Sequence, residues 1–216
     1  MVEQNELVGY MVNRGIEGYA GAFGMTRDEF LHWLGGKKRV LDVGAGGGLL
    51  RKEIDILRSV GKFRSDVSVI PLDLAYSTEE GISGARYATH LAFTHVGVAP
   101  TKEFIGRVDA AFEADARSES FLSLPFKSGW FDAVLACYSY GIHSTSKEML
   151  MRAFGETLRV LKRGGEALVS VSHDENAEYF SCGNKLSPVL YTTGDIAFLD
   201  ADIKGFGESS FLEFRK

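Results

Sequence analysis

The chain has 216 residues, of which 45% are hydrophobic, 12% aromatic and 25% charged, and 24 basic against 29 acidic residues leave a net charge of -5. That apolar content excludes intrinsic disorder and suits one domain with a single sizeable core, while the acidic balance counts against a protein that binds nucleic acid by neutralising phosphates. The two cysteines, Cys137 and Cys182, stand far apart and in no CxxC pattern, which argues against a disulfide scaffold or a cysteine zinc site.

Along the first forty residues, Leu7, Tyr10, Met11, Ile16 and Tyr19 recur at roughly helical spacing. The acidic N-terminus with no apolar run behind it predicts no signal peptide, and no stretch is long enough to span a membrane, so a cytoplasmic protein is expected. Thr26 and Glu29 form a capping box ahead of Phe30, Leu31, Trp33 and Leu34, and Gly35-Gly36 ends that helix. The register then changes. Val40 to Val43 reads as a buried strand, Gly44 to Gly48 as a glycine loop, and Leu49, Leu50, Ile54, Leu57 and Val60 as a helix ending at Gly61.

Val67 to Leu72 is a second predicted strand, closed by Asp73. Residues 75–107 are too long for a plain connection, so some helix is expected there, either as a lid or as an insertion packed on the surface. A third strand is expected over Val108 to Glu113 and a fourth over Phe131 to Cys137. Thr145 and Glu148 repeat the capping pattern before a helix reaching Leu161. Ala167 to Val171 gives a fifth strand, with Ile196 to Leu199 and Phe211 to Phe214 as the last two. Strands alternating with helices argue for an α/β fold with a central, mostly parallel sheet.

The glycine loop carries the strongest chemical signal. Glycines allow sharp turning and let a ligand approach backbone amides at a helix N-terminus. A dinucleotide fingerprint would need a third glycine where Leu49 stands, and no Gly-Lys-Ser/Thr follows to make a P-loop. The spacing is acid-x-Gly-x-Gly-x-Gly, filled by Asp42, Gly44, Gly46 and Gly48. It resembles the first motif of class I S-adenosylmethionine-dependent methyltransferases of the small-molecule, type 11-like kind.

The resemblance runs in order from about residue 38 to 172. It takes in Asp73, Glu113-Ala114-Asp115-Ala116, Ser123-Leu124-Pro125-Phe126 with the strand after it, and Leu158 to Gly165. It implies a Rossmann-like, mostly parallel seven-stranded sheet of order 3-2-1-4-5-7-6 with the last strand antiparallel. It also implies a single domain over 1–216, with an N-terminal helical cap (1–36) and 75–107 as an insertion and candidate lid. The implied cofactor is S-adenosylmethionine. Asp42, Gly44, Ala45, Gly46 and Gly48 would hold its amino-acid end, Asp73 with Leu74 its ribose, Asp115 and the Ala116 amide its adenine, and Tyr138 the methionine part. Read without the resemblance, Asp42 braces the loop amides, Asp73 is a cap or strand-end carboxylate, and Asp109 or Glu113 can stand in for Asp115.

In an open α/β sheet the ligand lies beyond the carboxyl ends of the strands. Tyr138, Tyr140 and His143 follow the fourth predicted strand and His173 follows the fifth, so Tyr140 and His143 are expected to face an acceptor. Holding an acceptor in line with a methyl carbon supplies much of the rate, and His143 or His173 can serve as a base where the acceptor is protonated. No metal site is expected. Lys37-Lys38-Arg39 and Arg51-Lys52 are expected to be solvated, and no Asn/Asp-Pro-Pro-Tyr/Phe run follows strand four, so a small-molecule acceptor is favoured over DNA. Two other readings stand beside this one: a non-catalytic cofactor- or partner-binding subunit of the same fold, and a nicotinamide-dependent oxidoreductase. The acceptor and the oligomeric state stay open.

Overall fold

A short run of fully buried residues, Val40 to Val43, forms the centre of the molecule, with every one of its side chains at 0% exposure. The computed structural model describes residues 13–137, 139–140, 147–172, 199–206 and 209–216. Within them β1 (Arg39–Val43), β2 (Ser68–Leu72), β3 (Phe131–Cys137), β4 (Leu161–Ser172), β5 (Leu199–Phe206) and β6 (Ser209–Arg215) make one sheet of order β2-β1-β3-β4-β6-β5. The first four are parallel, with Val40 level with Val69 on one side and Ala133 on the other. The strand β6 runs antiparallel to both β4 and β5.

Alternate strand residues point to opposite faces, and two cores result. Val40, Val69 and Leu135 pack with Ile16, Phe30, Leu50, Ile54 and Phe93 on one face. Leu41, Val43 and Val134 pack with Phe131, Tyr140, Phe154 and Leu158 on the other. The first face is covered by α1 (Ile16–Ala22), α2 (Arg27–Gly35), α3 (Leu49–Ser59) and α4 (Glu79–Val96), and α5 (Lys102–Asp115) packs against α3 and α4. The helix α6 (Lys147–Val160) lies on the second face. The capping box of α2 is formed as expected: Glu29 N–H donates to Thr26 Oγ1 and Thr26 N–H to Glu29 Oε2 at 2.7 Å.

The α/β class with a parallel sheet stands, but the third predicted strand does not. Val108 to Glu113 lies inside α5, where Val108 and Phe112 are buried one turn apart. What touches the outer edge of β2 is a single bridge, with Asp73 N–H donating to the Arg117 carbonyl and Arg117 N–H to that of Pro71, each at 3.0 Å. The sheet therefore has six strands among the described residues, not seven. Residues 75–107 form a 3-10 turn (Leu74–Ser77) and the long helix α4, whose Ala85, Ala88, Ala92 and Phe93 are buried against α3. No helix among the described residues is long and apolar enough to cross a membrane. Tyr138, His143, Thr145 and His173 lie outside the described residues.

Candidate functional site

The loop between β1 and α3 alternates its backbone hand. Gly44, Gly46 and Gly48 take φ of +70°, +55° and +71°, a region costly for any residue with a Cβ. Space is equally short. A Cβ at Gly44 would overlap Ser139, one at Gly47 would overlap Asn13 and Ala88, and one at Gly48 would overlap Phe112. At these three positions it is the protein itself that fills the place of a side chain.

The amides are equally committed. Gly44 and Ala45 donate to the Leu72 carbonyl at 2.8 and 3.2 Å, and Gly48 to that of Ala45 at 2.9 Å. Gly46 donates to Asp73 Oδ2 and Gly47 to Asn13 Oδ1, both at 2.9 Å. Two of the five amides are thus held by side-chain oxygens. The second oxygen of Asp73 accepts from Ala75 N–H at 2.9 Å and caps the turn that follows β2. Asp73 thus stands at the end of β2, against the loop.

Asp42 does not brace these amides. It is fully buried, its Oδ1 accepts from the Tyr19 hydroxyl of α1, and its Oδ2 has no hydrogen-bond partner among the described residues. Burial pushes its carboxyl up to about 7, the Tyr19 hydrogen bond acting the other way and the neighbouring Asp73 charge adding to the rise. Two further buried atoms lack partners among the described residues: the Tyr76 hydroxyl, close to Asp73 and Asp42, and Ser139 Oγ, against Gly44. Cys137 lies in the same region, its thiol pushed up to about 12 by burial. Native chains leave few buried polar atoms unpaired; here three gather beside one loop.

Beneath the loop sits a residue expected in solvent. Lys52 is fully buried, donating to the carbonyls of Gly47 (3.1 Å) and Ala85, with Phe112 beneath its ammonium at 4.0 Å. Its neighbour Arg51, 8% exposed, donates to the Val69 carbonyl and to Asp115, each at 2.7 Å, and to Asp55 at 2.6 Å. Solvation of Arg51-Lys52 is therefore corrected. Glu53 is buried too and accepts from Ile16 N–H at 2.6 Å and pairs with His95 Nδ1 at 2.7 Å, which supplies α1 with the cap that Gly15 lacks. Lys37 is likewise tied down, to Glu166 and over the Trp33 ring, whereas Lys38 is exposed.

Asp115 ends a helix rather than a strand, its carboxylate is paired with Arg51, and the Ala116 amide donates to the Phe112 carbonyl at 2.8 Å. Tyr140 does not face an acceptor: it is fully buried, sharing a hydrogen bond with Thr157 Oγ1 at 2.6 Å and packed against Phe121 and Phe154. Leu74, beside Asp73, is 36% exposed. The structure thus brings Asp42, Asp73 and the loop together and adds Asn13, Tyr19, Tyr76 and Ser139. Sequence offered only a faint signal for these, since Tyr76 follows Asp73 by three residues and Ser139 follows the end of β3 by two.

Comparisons with known proteins agree with this fold. A family model described as a methyltransferase domain matches residues 78–169, a stretch that begins after Asp73. The chain is similar to the PH0226 protein of Pyrococcus horikoshii OT3, with a TM-score of 0.58 at 15% identity over 98% of both chains. It is also similar to a candidate S-adenosyl-L-methionine-dependent methyltransferase from Methanococcus maripaludis, with a TM-score of 0.50 at 15% identity over 96% of this chain and 97% of that one. Against the first structures it matches, the chain spans about half of their length, 44% and 46%. No curated protein matches it. At such identities the likeness is one of fold. The domain match bears out the resemblance to methyltransferases, and the shared fold agrees with it.

Proposed function

We propose that this chain, with its methyltransferase fold and domain match, transfers a methyl group from S-adenosylmethionine to a small-molecule acceptor. Asp42, Gly44, Ala45, Gly46, Gly48, Asp73 and Leu74 would border the cofactor. The observation that carries the reading is the buried polar cluster at the carboxyl ends of β1, β2 and β3. Two carboxylates and the unpaired oxygens of Asp42, Tyr76 and Ser139 meet there beside the glycine loop. An unsatisfied buried polar atom costs about 1–3 kcal/mol, so a natural chain that keeps three together favours a polar ligand that completes them. The donor set suits a cationic nucleoside, with a carboxylate for ribose hydroxyls and a second, deeper one for positive charge.

Bound there, S-adenosylmethionine supplies a methyl group on a sulfonium that departs as a neutral thioether. The chain's own work is to grip and orient. Asp73 would accept hydrogen bonds from the ribose hydroxyls while its amide bonds keep it aligned with the loop, and Asp42 would supply negative charge in a site shielded from water, where it acts more strongly than at the surface. With the donor fixed, the remaining task is to hold an acceptor in line with the methyl carbon. A protonated acceptor gives up its proton to a base, for which His143 and His173 are the proposed residues by their position in the chain. Asp115, Ala116 and Tyr138 are retained in the proposed cofactor set on the sequence resemblance.

Calorimetry with S-adenosylmethionine and S-adenosylhomocysteine tests the proposal. Saturable binding of both is expected, weakened at least about tenfold by Asp73→Ala, a loss of one charge-assisted contact pair. A folded sample that binds neither compound at millimolar concentration would overturn it.

A further inference from the structure

The side chain nearest the heart of this cluster comes from outside the sheet. Tyr19 belongs to α1, is 1% exposed, and its ring is stacked on Phe30 (6.0 Å, 17°) and tilted against Phe23 (6.1 Å). The helix that carries it is fixed by the Glu53 carboxylate on the Ile16 amide. The phenol therefore has little freedom, and its hydroxyl is spent on one oxygen of Asp42. The other oxygen is buried without a partner.

We propose that Tyr19 is a positioning residue for the cofactor site: its hydroxyl fixes Asp42 so that Oδ2 is presented, as an anion, to a cationic group of the bound sulfonium nucleoside. This rests on the reading of the site given above. A buried carboxylate with one oxygen held by a hydrogen bond and the other without a partner among the described residues is poised for a positive charge, because the hydrogen bond favours its ionised form and burial disfavours it. The groups facing Asp42 divide accordingly. Tyr19 from α1 favours the anion, and Asp73, at the end of β2, opposes it. Tyr76 from the turn after β2 and Cys137 from β3 are close and held neutral by burial. Arg14, just before α1, is a positive charge near Cys137. Without the Tyr19 proton the balance tips toward the neutral acid, which has nothing to offer a cation.

Tyr19→Phe keeps the ring and its stacking and removes the one donor. Affinity for S-adenosylmethionine and S-adenosylhomocysteine is measured from pH 5.5 to 9 on the full chain, for wild type, Tyr19→Phe, Asp42→Asn and the double variant. Tyr19→Phe is expected to bind about tenfold more weakly at pH 7, to recover toward pH 9, and to show its acid limb about one pH unit higher. Asp42→Asn is expected to lose that limb, and the double variant to be no weaker than Asp42→Asn alone, since the two side chains act as one unit. Equal loss for both compounds identifies the ammonium as the cation, and loss for S-adenosylmethionine alone identifies the sulfonium.

Binding by Tyr19→Phe with an unmoved limb, or weakened equally at every pH, overturns the Tyr19 assignment alone. Should Tyr19→Phe not fold, an acid limb that persists in Asp42→Asn overturns it by itself, and a limb lost there supports it. A folded wild type that binds neither compound overturns the cofactor reading, and the proposal with it.

Discussion

The ammonium of Lys52 donates to the Gly47 carbonyl at 3.1 Å, so the glycine loop is held from below by a charge on the helix that it opens. Burial lowers Lys52 to about 8, whereas the unfolded chain keeps the ordinary value near 10.4. The unfolded state then binds more protons between those values, and the contribution of Lys52 to stability rises with pH across that window. Lys52→Met, which leaves two carbonyls without their donor, is expected to lose about 1–3 kcal/mol at pH 7. Its deficit relative to wild type should widen from pH 8 to 10 in urea unfolding. A deficit that stays constant over that range would remove Lys52 as the titrating group.

Asp42 works with the opposite sign. Its folded value near 7 lies above the roughly 3.9 of a free aspartate. The folded state therefore holds more protons from about pH 4 to 7, stability from this group falls as pH rises through that window, and above it the anion is a constant cost. Asp42→Asn is expected to be more stable than wild type at pH 8 by about 1–4 kcal/mol. The difference should close toward pH 4 when denaturant unfolding is run at both values. A gain equal at both would contradict the assignment.

Gly15 precedes α1 with φ of -97°, an ordinary conformation, yet a Cβ there would overlap the Glu53 carboxylate. Gly15→Ala is therefore expected to push Glu53 off the Ile16 amide and to cost about 1–3 kcal/mol in thermal unfolding. Placed in a Glu53→Ala background the same substitution should cost far less, and the double-mutant cycle measures the coupling. Additive losses would mean that the two positions act separately.

Gly48 combines two constraints, φ of +71° and a Cβ position that Phe112 fills. Phe112→Ala relieves the second and leaves the first. Gly48→Ala introduced beside Phe112→Ala should still cost about 1–2 kcal/mol, the penalty of left-handed backbone for a residue with a Cβ, whereas in the native background it should cost more. Chemical denaturation of the four proteins checks this.

The parts of the fold legible in sequence were those governed by local pattern. Val40 to Val43 and Phe131 to Cys137 are near-continuous apolar runs and are strands, and Thr26 with Glu29 forms the cap its spacing predicts. Val108 to Glu113 reads as a strand because a short segment with Val108, Ala110, Ala111 and Phe112 among its six residues suits either state. The spacing of Phe104, Val108 and Phe112 by four, amid alanines, is the helical pattern that decides it. The loop, Asp42 and Asp73 were legible as neighbours because chain order brings them to adjacent strand ends. Tyr19 and Asn13 were not, since their contacts span 23 and 34 residues. Nor was the burial of Arg51 and Lys52: Asp55 lies four residues from Arg51 on the same helix, but Val69, Asp115 and Ala85 lie on other elements and leave no trace in spacing.

Three consecutive charged residues of α3 each serve a different neighbour: Arg51 the edge strand, Lys52 the loop and α4, Glu53 the start of α1. One residue inserted at the start of α3 would rotate everything after it by about 100°. All three attachments would then fail at once, so this helix behaves as an indexing shaft that tolerates changes of side chain far better than changes of length.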